Sequence, residues 1–155
     1  MDEKAGTFLV TAADDAAVEL ADVADGQVVA LSSNPGLSAG EVVEGTVAPD
    51  PPLGVSWSLV DVGSRYSVTV EAVDEPPSSA ARALAEPLAP GELATEPADD
   101  GELHALRVPP GETAAAVEEV AGDEATTRRA ARLGARRAEV RGADGVVAVR
   151  YRSAE

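Results

Sequence analysis

The sequence predicts an α+β protein with an N-terminal small antiparallel β-barrel, OB-like or SH3-like, followed by a C-terminal β-α-α-β-β module. The first half contains about six short β-forming segments at close spacing, a pattern typical of small barrels and sandwiches. The last third instead mixes strand and helix patterns. Between them, Pro, Ala and acidic residues dominate and indicate a linker with one possible short helix. The predicted domains are therefore 1–73, 74–100 and 101–155.

The barrel is predicted because closing the sheet would remove its exposed edges. Asp25-Gly26 is a strong hairpin signal, and Gly45 inside a strand would permit a bulge or a tight bend. Gly63-Ser64-Arg65 is interpreted as the turn of the last hairpin. The predicted strands are 6–12, 17–23, 27–31, 41–48, 57–62 and 66–73.

The longest turn-rich break in the first half runs from Ser32 to Gly40. Pro35 presets φ and Gly36 can adopt a positive φ, so Asn34-Pro35-Gly36 is strong turn chemistry. Ser32, Ser33 and Asn34 form a possible binding loop, because their side chains could donate hydrogen bonds to a ligand. The alternative is that these polar side chains simply close the turn.

The remaining elements follow from caps and periodicity. Ser78 is a candidate N-cap for a short helix over 78–86, and Asp123 is one for a helix that runs to about Leu133 and ends at Gly134. Glu124 and Arg128 are spaced as a favourable i, i+4 pair. The other predicted elements are a possible short strand at 91–95, strands at 102–108, 135–141 and 146–152, and a helix at 113–121.

Arginines are concentrated near the C-terminus, where eight occur from Arg128 onward against three acidic residues. Such a cluster could bind phosphates or an acidic partner, since arginine suits bidentate contacts. Alternatively, the arginines could pair with the protein's own surplus of carboxylates. The candidate patch has two residues on the predicted helix that Asp123 caps and four on one face of the C-terminal hairpin: Arg128, Arg132, Arg137, Arg141, Arg150 and Arg152.

The charge balance predicts a saline environment. The formal net charge is −16, and Lys4 is the single lysine among 12 basic residues. A compact body with this charge repels itself in dilute buffer, whereas molar salt screens the repulsion within about 3 Å. The sequence therefore indicates a halophile's protein, the alternative being an ordinary acidic one. The N-terminal residues do not resemble a signal peptide and no stretch is long enough to span a membrane, so we expect a cytoplasmic protein.

No catalytic constellation is visible in the sequence. The chain has no cysteine, which excludes disulfides, thiolate nucleophiles and Cys-ligated metals. His104 is the single histidine, and no nucleophile motif surrounds it, so we interpret it as structural. There is no nucleophile elbow, P-loop or dinucleotide fingerprint. We therefore expect a protein that is not an enzyme, without cofactor or metal.

Several segments together resemble a known family. Residues 6–11, 31–37 and 47–49 in the first half, and 102–104, 108–110, 123–126 and 130–134 in the second, are similar to a family of uncharacterised proteins from halophilic archaea. The resemblance covers nearly the whole chain. It implies a haloarchaeal source and a domain of unknown function, and it supplies no catalytic residues.

The sequence thus leaves two main functional hypotheses, and a third, an enzyme, ranks last because no catalytic site is visible. The first is a non-enzymatic binding or adaptor protein with an unknown protein partner. The second is a nucleic-acid-associated protein that uses the barrel and the C-terminal arginines. Against the second hypothesis, the barrel segment contains only Lys4 and Arg65 as basic residues, whereas OB-type barrels bind oligonucleotides through basic and aromatic side chains.

Overall fold

A computed structural model describes residues 3–153, which divide after Val68 into two compact units. The first unit is a closed five-stranded β-barrel, and the second is a five-stranded sheet with three α-helices. The predicted α+β class and small barrel are confirmed. The barrel strands are β1 Lys4–Ala13, β2 Val18–Asp22, β3 Val28–Leu31, β4 Glu41–Pro49 and β5 Trp57–Ser67.

The barrel has the strand order β1-β2-β3-β5-β4, with β4 pairing back to β1. Three consecutive antiparallel strands followed by a fourth that lies beside the first form a Greek key. The fifth strand closes the barrel by lying parallel to β3 at Leu31 and Trp57. This is the five-stranded Greek-key arrangement of an OB-type barrel.

Alternation along the strands builds the barrel core. Phe8 and Val10 on β1 are almost fully buried, as are Val43 and Val47 on β4. Leu37 anchors the long loop before β4 in the same cluster. With a single phenylalanine in the chain, this core depends on aliphatic side chains, each of which contributes about 1.5–3 kcal/mol when fully buried.

The predicted hairpin about Gly63-Ser64-Arg65 is wrong. Residues 57–67 form one continuous strand, β5, that pairs with β4 along its length. The register shifts twice in this pair, which leaves Val60 and Gly63 as the extra residues of two β-bulges. Each bulge interrupts the alternation of side chains, so the sequence pattern resembled a turn where the strand only bends.

The second unit is one mixed sheet in the order β6-β9-β10-β8-β7. β6 pairs parallel to β9, and the other pairs are antiparallel. Its strands are β6 Thr69–Ala72, β7 Leu93–Ala98, β8 Gly101–Arg107, β9 Arg137–Ala143 and β10 Val146–Arg152. Its helices are α1 Ser79–Ala85, α2 Thr113–Gly122 and α3 Glu124–Arg132, with a short 3-10 helix at Pro110–Glu112.

The three helices cover the two faces of this sheet unequally. On one face, α1 packs through Ala81 against Leu103 and Ala148. On the other, α2 lies so close to β9 that a side chain at Gly142 would meet Val117. Side chains of β10 alternate between these faces, so Val147, Val149 and Tyr151 lie under the α2 and α3 side.

The predicted boundaries at 73 and 100 and the linker are corrected by this topology. Residues 69–72, assigned to the barrel, form an edge strand of the second sheet. Residues 74–100 are not a linker: α1 covers part of the sheet, and β7 pairs with β8 in register from Leu93 to Ala98. The predicted short helix is present, and Ser78 Oγ accepts from the backbone N–H of Ala81 at 3.2 Å.

Two other predicted features are confirmed in the second unit. Asp123 caps α3, accepting a hydrogen bond from the backbone N–H of Ala125 at 2.9 Å. Arg128 pairs with Glu124 one turn earlier, at 2.7 Å. Across residues 3–153, none of the helices has the length and apolar character needed to cross a membrane.

Candidate functional site: an arginine-lined groove

Four of the six predicted patch residues lie on the sheet face that α1 covers in part. The antiparallel register of β9 and β10 places Arg152 opposite Arg137, and Ala148 opposite Arg141. Arg150 lies between them on the same face, opposite Glu139. Directly opposed residues share a face, so β9 and β10 bring these arginines together.

Arg128 and Arg132 do not join them. Both lie on α3, and α3 covers the opposite face of the sheet, where Arg129 donates to the Tyr151 hydroxyl at 3.2 Å. The six arginines therefore form two separate groups, and three of the four on the strands line a concave surface: Arg141, Arg150 and Arg152.

That surface is a groove of about 340 Å³ between the sheet and the segment leading into α1. Leu103 and Ala148 supply apolar surface, and three arginines and two glutamates supply charge. The full lining is Glu75, Pro76, Ser78, Leu103, Glu139, Arg141, Ala148, Arg150 and Arg152.

Carboxylates of the chain itself contact every arginine of this face. Arg150 Nη2 donates to Asp100 Oδ1, and Arg137 Nη1 donates to Glu71 Oε1 at 2.5 Å. The contacts inside the groove are longer and share one acceptor. Glu139 Oε1 lies 3.4 Å from Arg141 Nη1 and 3.3 Å from Arg152 Nε.

Some N–H donors of the groove arginines make no hydrogen bond within the protein. Glu75 lies 3.6 Å from Arg141 Nε, beyond a normal hydrogen bond. Arg150 Nη1 and Arg152 Nε are buried and make no hydrogen bond to any other described residue. Arg152 Nε still faces the Glu139 carboxylate at 3.3 Å, so Arg150 Nη1 is the groove-side donor with neither a hydrogen bond nor an ion pair to another described residue.

The sequence could indicate the arginines but not their partners. Glu75 and Asp100 lie in or at the end of the stretch interpreted as a linker, where acidic residues had no assigned structure. Leu103 belongs to a recognised strand, but its pattern does not show which helix covers it. Only the pairing of β8 with β10 brings Leu103 beside Arg150.

The predicted binding loop lies in the first unit, where the side chain of Asn34 holds the loop closed. Asn34 Oδ1 accepts from the backbone N–H groups of Gly36 and Leu37 at 2.9 and 2.7 Å. Its Nδ2 donates to the Asp14 and Leu37 carbonyls at 2.8 and 3.0 Å. Ser32 Oγ donates to Asp50 at 3.2 Å, and Ser33 is exposed. The engaged atoms favour the turn interpretation of this loop.

The two basic side chains of the barrel are likewise engaged. Lys4 Nζ lies 2.7 Å from Asp25 and 3.2 Å from Asp22. The hydrogen bond to Asp25 raises the pKa of Lys4 above its ordinary value. Arg65 donates to both carboxylate oxygens of Glu41 at 2.9–3.1 Å. The described barrel surface therefore offers no basic side chain that lacks an acidic partner.

The described residues do not form a metal-binding site. Within residues 3–153, no three histidine, aspartate or glutamate side chains lie close enough to hold a metal ion together.

Comparison with known families places the chain in one of them. The model of a family of unknown function, DUF5812, matches residues 4–142, so the chain belongs to this family. Comparisons with curated proteins and with solved structures found no match.

Proposed function

We propose that this member of a family of unknown function is a non-enzymatic binding or adaptor protein. Its groove on the second sheet would hold an acidic segment of a partner protein. One observation carries the proposal: three arginines line the groove, and the contacts of Arg141 and Arg152 with Glu75 and Glu139 there are 3.3–3.6 Å long. A carboxylate can accept two parallel hydrogen bonds from one guanidinium, a closer geometry than these contacts have.

The contacts with the chain's own carboxylates do not prevent such binding. Glu139 shares one oxygen between Arg141 and Arg152 at 3.3–3.4 Å, which is longer than a strong charge-assisted hydrogen bond of 2.7–2.9 Å. An incoming carboxylate with better geometry could therefore bind while Glu139 keeps part of its contacts. The apolar surface of Leu103 and Ala148 would contact the aliphatic parts of the bound segment.

The alternative, a nucleic-acid-associated protein, is favoured by the OB-type strand order of the barrel. Side-chain chemistry weighs against it. The groove has no aromatic side chain on which a base could stack. In the barrel, Arg65 is held by Glu41. A protein partner with a few well-placed carboxylates fits these features better.

The test uses a labelled peptide rich in glutamate and aspartate, with fluorescence anisotropy measured at 0.1, 0.3 and 1 M KCl. The higher concentrations screen the long-range repulsion from a net charge of −16. Arg150→Gln should weaken binding about 10- to 100-fold, because a hydrogen bond to a charged group is worth roughly 1.5–3 kcal/mol. Arg152→Lys keeps the charge but loses the bidentate geometry and should weaken binding by a smaller factor.

Arg128→Gln is the matched control, since Arg128 lies on α3 and pairs with Glu124 away from the groove. It should leave the affinity unchanged. If the peptide does not bind at any salt concentration, or if all three variants bind equally, the proposal is wrong. Single-stranded DNA measured in parallel, and bound where the peptide is not, would support the alternative.

We also propose that the protein is cytoplasmic in a haloarchaeon. The net charge of −16 and the near absence of lysine support this environment. The expected outcome is that stability against urea rises from millimolar to molar KCl. Equal stability across that range would contradict the halophilic assignment.

A further inference from the structure

Helices cover only part of the sheet face opposite the arginine-lined groove. On this face α2 and α3 pack against β6, β9 and β10. In the register of β7 with β8, Leu93 lies opposite Leu106 and Thr95 lies opposite His104. Directly opposed residues share a face, and Leu106 in turn lies opposite Val147 of β10. β7 and β8 therefore extend this face beyond the two helices as a strip, the β7–β8 strip.

The outer part of the β7–β8 strip is exposed. Leu93 is 52% exposed, and Thr95 and Pro97, which alternate with it on the same face, are exposed as well. Two strands spaced about 4.8 Å apart make a strip about 10 Å wide. An α-helix with its side chains is about 10–12 Å in diameter, and packed helices lie about 8–10 Å apart. The strip therefore leaves room for one more helix beside α2.

A groove, which we call the α2 groove, runs between the β7–β8 strip and α2. It consists of two adjoining cavities of about 190 and 230 Å³, which share Leu106 and Val120 in their walls. Leu93 adds apolar surface to the smaller cavity, and Val108 and Pro109 add it to the larger one.

The length of the α2 groove suits a short helix. His104 lines the smaller cavity and Val108 the larger one, and they are four residues apart in extended chain, or about 13 Å. At a rise of 1.5 Å per residue, a helix of about nine residues spans this distance.

α2 has two different sides. Thr113 and Val117 face β9, where they would meet a side chain placed at Gly142. Ala116 and Val120 line the α2 groove instead and are half-buried. One side of α2 is therefore packed on the sheet, and the other offers an apolar stripe to the groove.

The rim of the α2 groove is acidic. Glu112 and Glu119 are exposed in the lining of the larger cavity, and Asp123 is exposed in that of the smaller one. None of these three has an ion-pair partner among the described residues. Arg129 is the basic residue of the lining, and its guanidinium donates to the Tyr151 hydroxyl. An apolar floor with an acidic rim favours a basic occupant, whereas a second copy would bring its own net charge of −16.

We propose that the α2 groove binds a basic amphipathic helix of a partner protein, which lies beside α2 over β7 and β8. Its apolar side chains occupy the two cavities, and its lysines or arginines face Glu112, Glu119 and Asp123. Docking of a helix in a groove uses apolar anchors at helical spacing on one face. The adaptor would thus present one sheet face to an acidic segment and the other to a basic one.

The probe is a labelled peptide of about 14 residues, long enough to form a helix, made of leucine, alanine and lysine with the leucines on one helical face. Its control has the same composition in an order that scatters the leucines. Fluorescence anisotropy is measured at the KCl concentrations used for the acidic peptide. The amphipathic peptide should bind about tenfold more tightly than the control and stay bound in molar KCl, because salt screens charges but not apolar contacts.

Glu119→Lys and Glu118→Lys form a matched pair. The two residues are neighbours on α2, but Glu118 lines a different cavity on the other side of the helix. Glu119→Lys should weaken binding about five- to tenfold, because an attraction becomes a repulsion, and Glu118→Lys should weaken it by less than about twofold.

A second matched pair tests the apolar contact. Leu93→Gln should weaken binding about tenfold, whereas Leu53→Gln, at a 76% exposed position in the barrel, should leave it unchanged. Neither Leu93→Gln nor Glu119→Lys should alter binding of the acidic peptide, since the arginine-lined groove lies on the opposite face.

Three results would overturn the proposal. Equal losses in Glu118→Lys and Glu119→Lys would mean that the peptide only follows the net charge of the protein. Equal binding of the two peptides, or no binding of either, would remove the basis for a helix site. Sedimentation equilibrium of the free protein tests the other occupant: a dimer that Leu93→Gln dissociates would mean that a second copy covers the α2 groove.

Discussion

Gly45 on β4 lies opposite Val62 of β5, at the first bulge of the barrel. A Cβ atom at this position would overlap the backbone carbonyl oxygen of Asp61, far inside van der Waals contact. Restoring an ordinary contact of 3.4 Å would require a shift of about 1 Å between two hydrogen-bonded strands. The obstructing atom belongs to the backbone, so a change of side-chain rotamer cannot relieve the overlap.

Gly45→Ala should therefore destabilise the barrel by about 3 kcal/mol, the upper part of the range for overpacked positions. Trp57 is the single tryptophan, lies on β5 and packs against the barrel core, so its fluorescence reports on this unit. Urea unfolding at fixed KCl is the assay. With an m-value of about 1.5 kcal/mol/M, the midpoint should fall by about 2 M.

Gly63→Ala is the matched control on the facing strand. Its nearest neighbour would be the Glu44 carbonyl oxygen at 3.4 Å, an ordinary contact. We expect a change of less than about 1 kcal/mol, in either direction. Equal midpoints for the two alanine variants would refute the argument, because the backbone approach at Gly45 would then have no energetic consequence.

Two further predictions follow from titratable groups. Hydrogen bonds from Ser58 and Ser56 lower the pKa of Asp50 below its ordinary value. The ionised Asp50 therefore contributes to stability above about pH 4, and this contribution is lost as the pH falls through the lowered pKa. Asp50→Asn should flatten the acid dependence of the Trp57 unfolding midpoint, and an unchanged pH profile would contradict this. Burial raises the pKa of Tyr151. In a pH titration followed by absorbance at 295 nm, one of the two tyrosines should ionise at a pH above the ordinary tyrosine pKa of about 10. Tyr151→Phe should remove this high-pH ionisation. The stability supplied by the protonated phenol is lost as the pH rises past 10.

Local sequence chemistry was sufficient for elements whose signals act over a few residues. The capping side chains of Ser78 and Asp123 marked the starts of α1 and α3, since a cap needs only a neighbouring backbone N–H. Asn34-Pro35-Gly36 marked the turn before β4 for the same reason. The alternation of apolar and polar residues predicted the bounds of β9 and β10 to within about two residues and placed their four arginines on one face.

Assignment of strands to sheets required the tertiary structure. β6 and β7 are short edge strands, and β7 includes Pro97, which weakens its signal as a strand. Neither strand has a local feature that names its partner. Pairing of β6 with β9 joins residues nearly 70 positions apart. A local sequence pattern therefore could not show that residues 69–72 belong to the second sheet and not to the barrel.

For the candidate site, too, some features follow from the sequence alone and others only from the tertiary structure. By itself, the sequence determined the acidic composition, the absence of cysteine, the cluster of arginines and the small-barrel class, because these depend on residue counts and short-range patterns. Only the tertiary structure decided which acceptors each arginine meets and that Nδ1 of His104 has no hydrogen-bond partner among the described residues. Hydrogen-bond partners such as Arg150 and Asp100, 50 positions apart, are set by strand pairing and helix packing rather than by neighbouring residues.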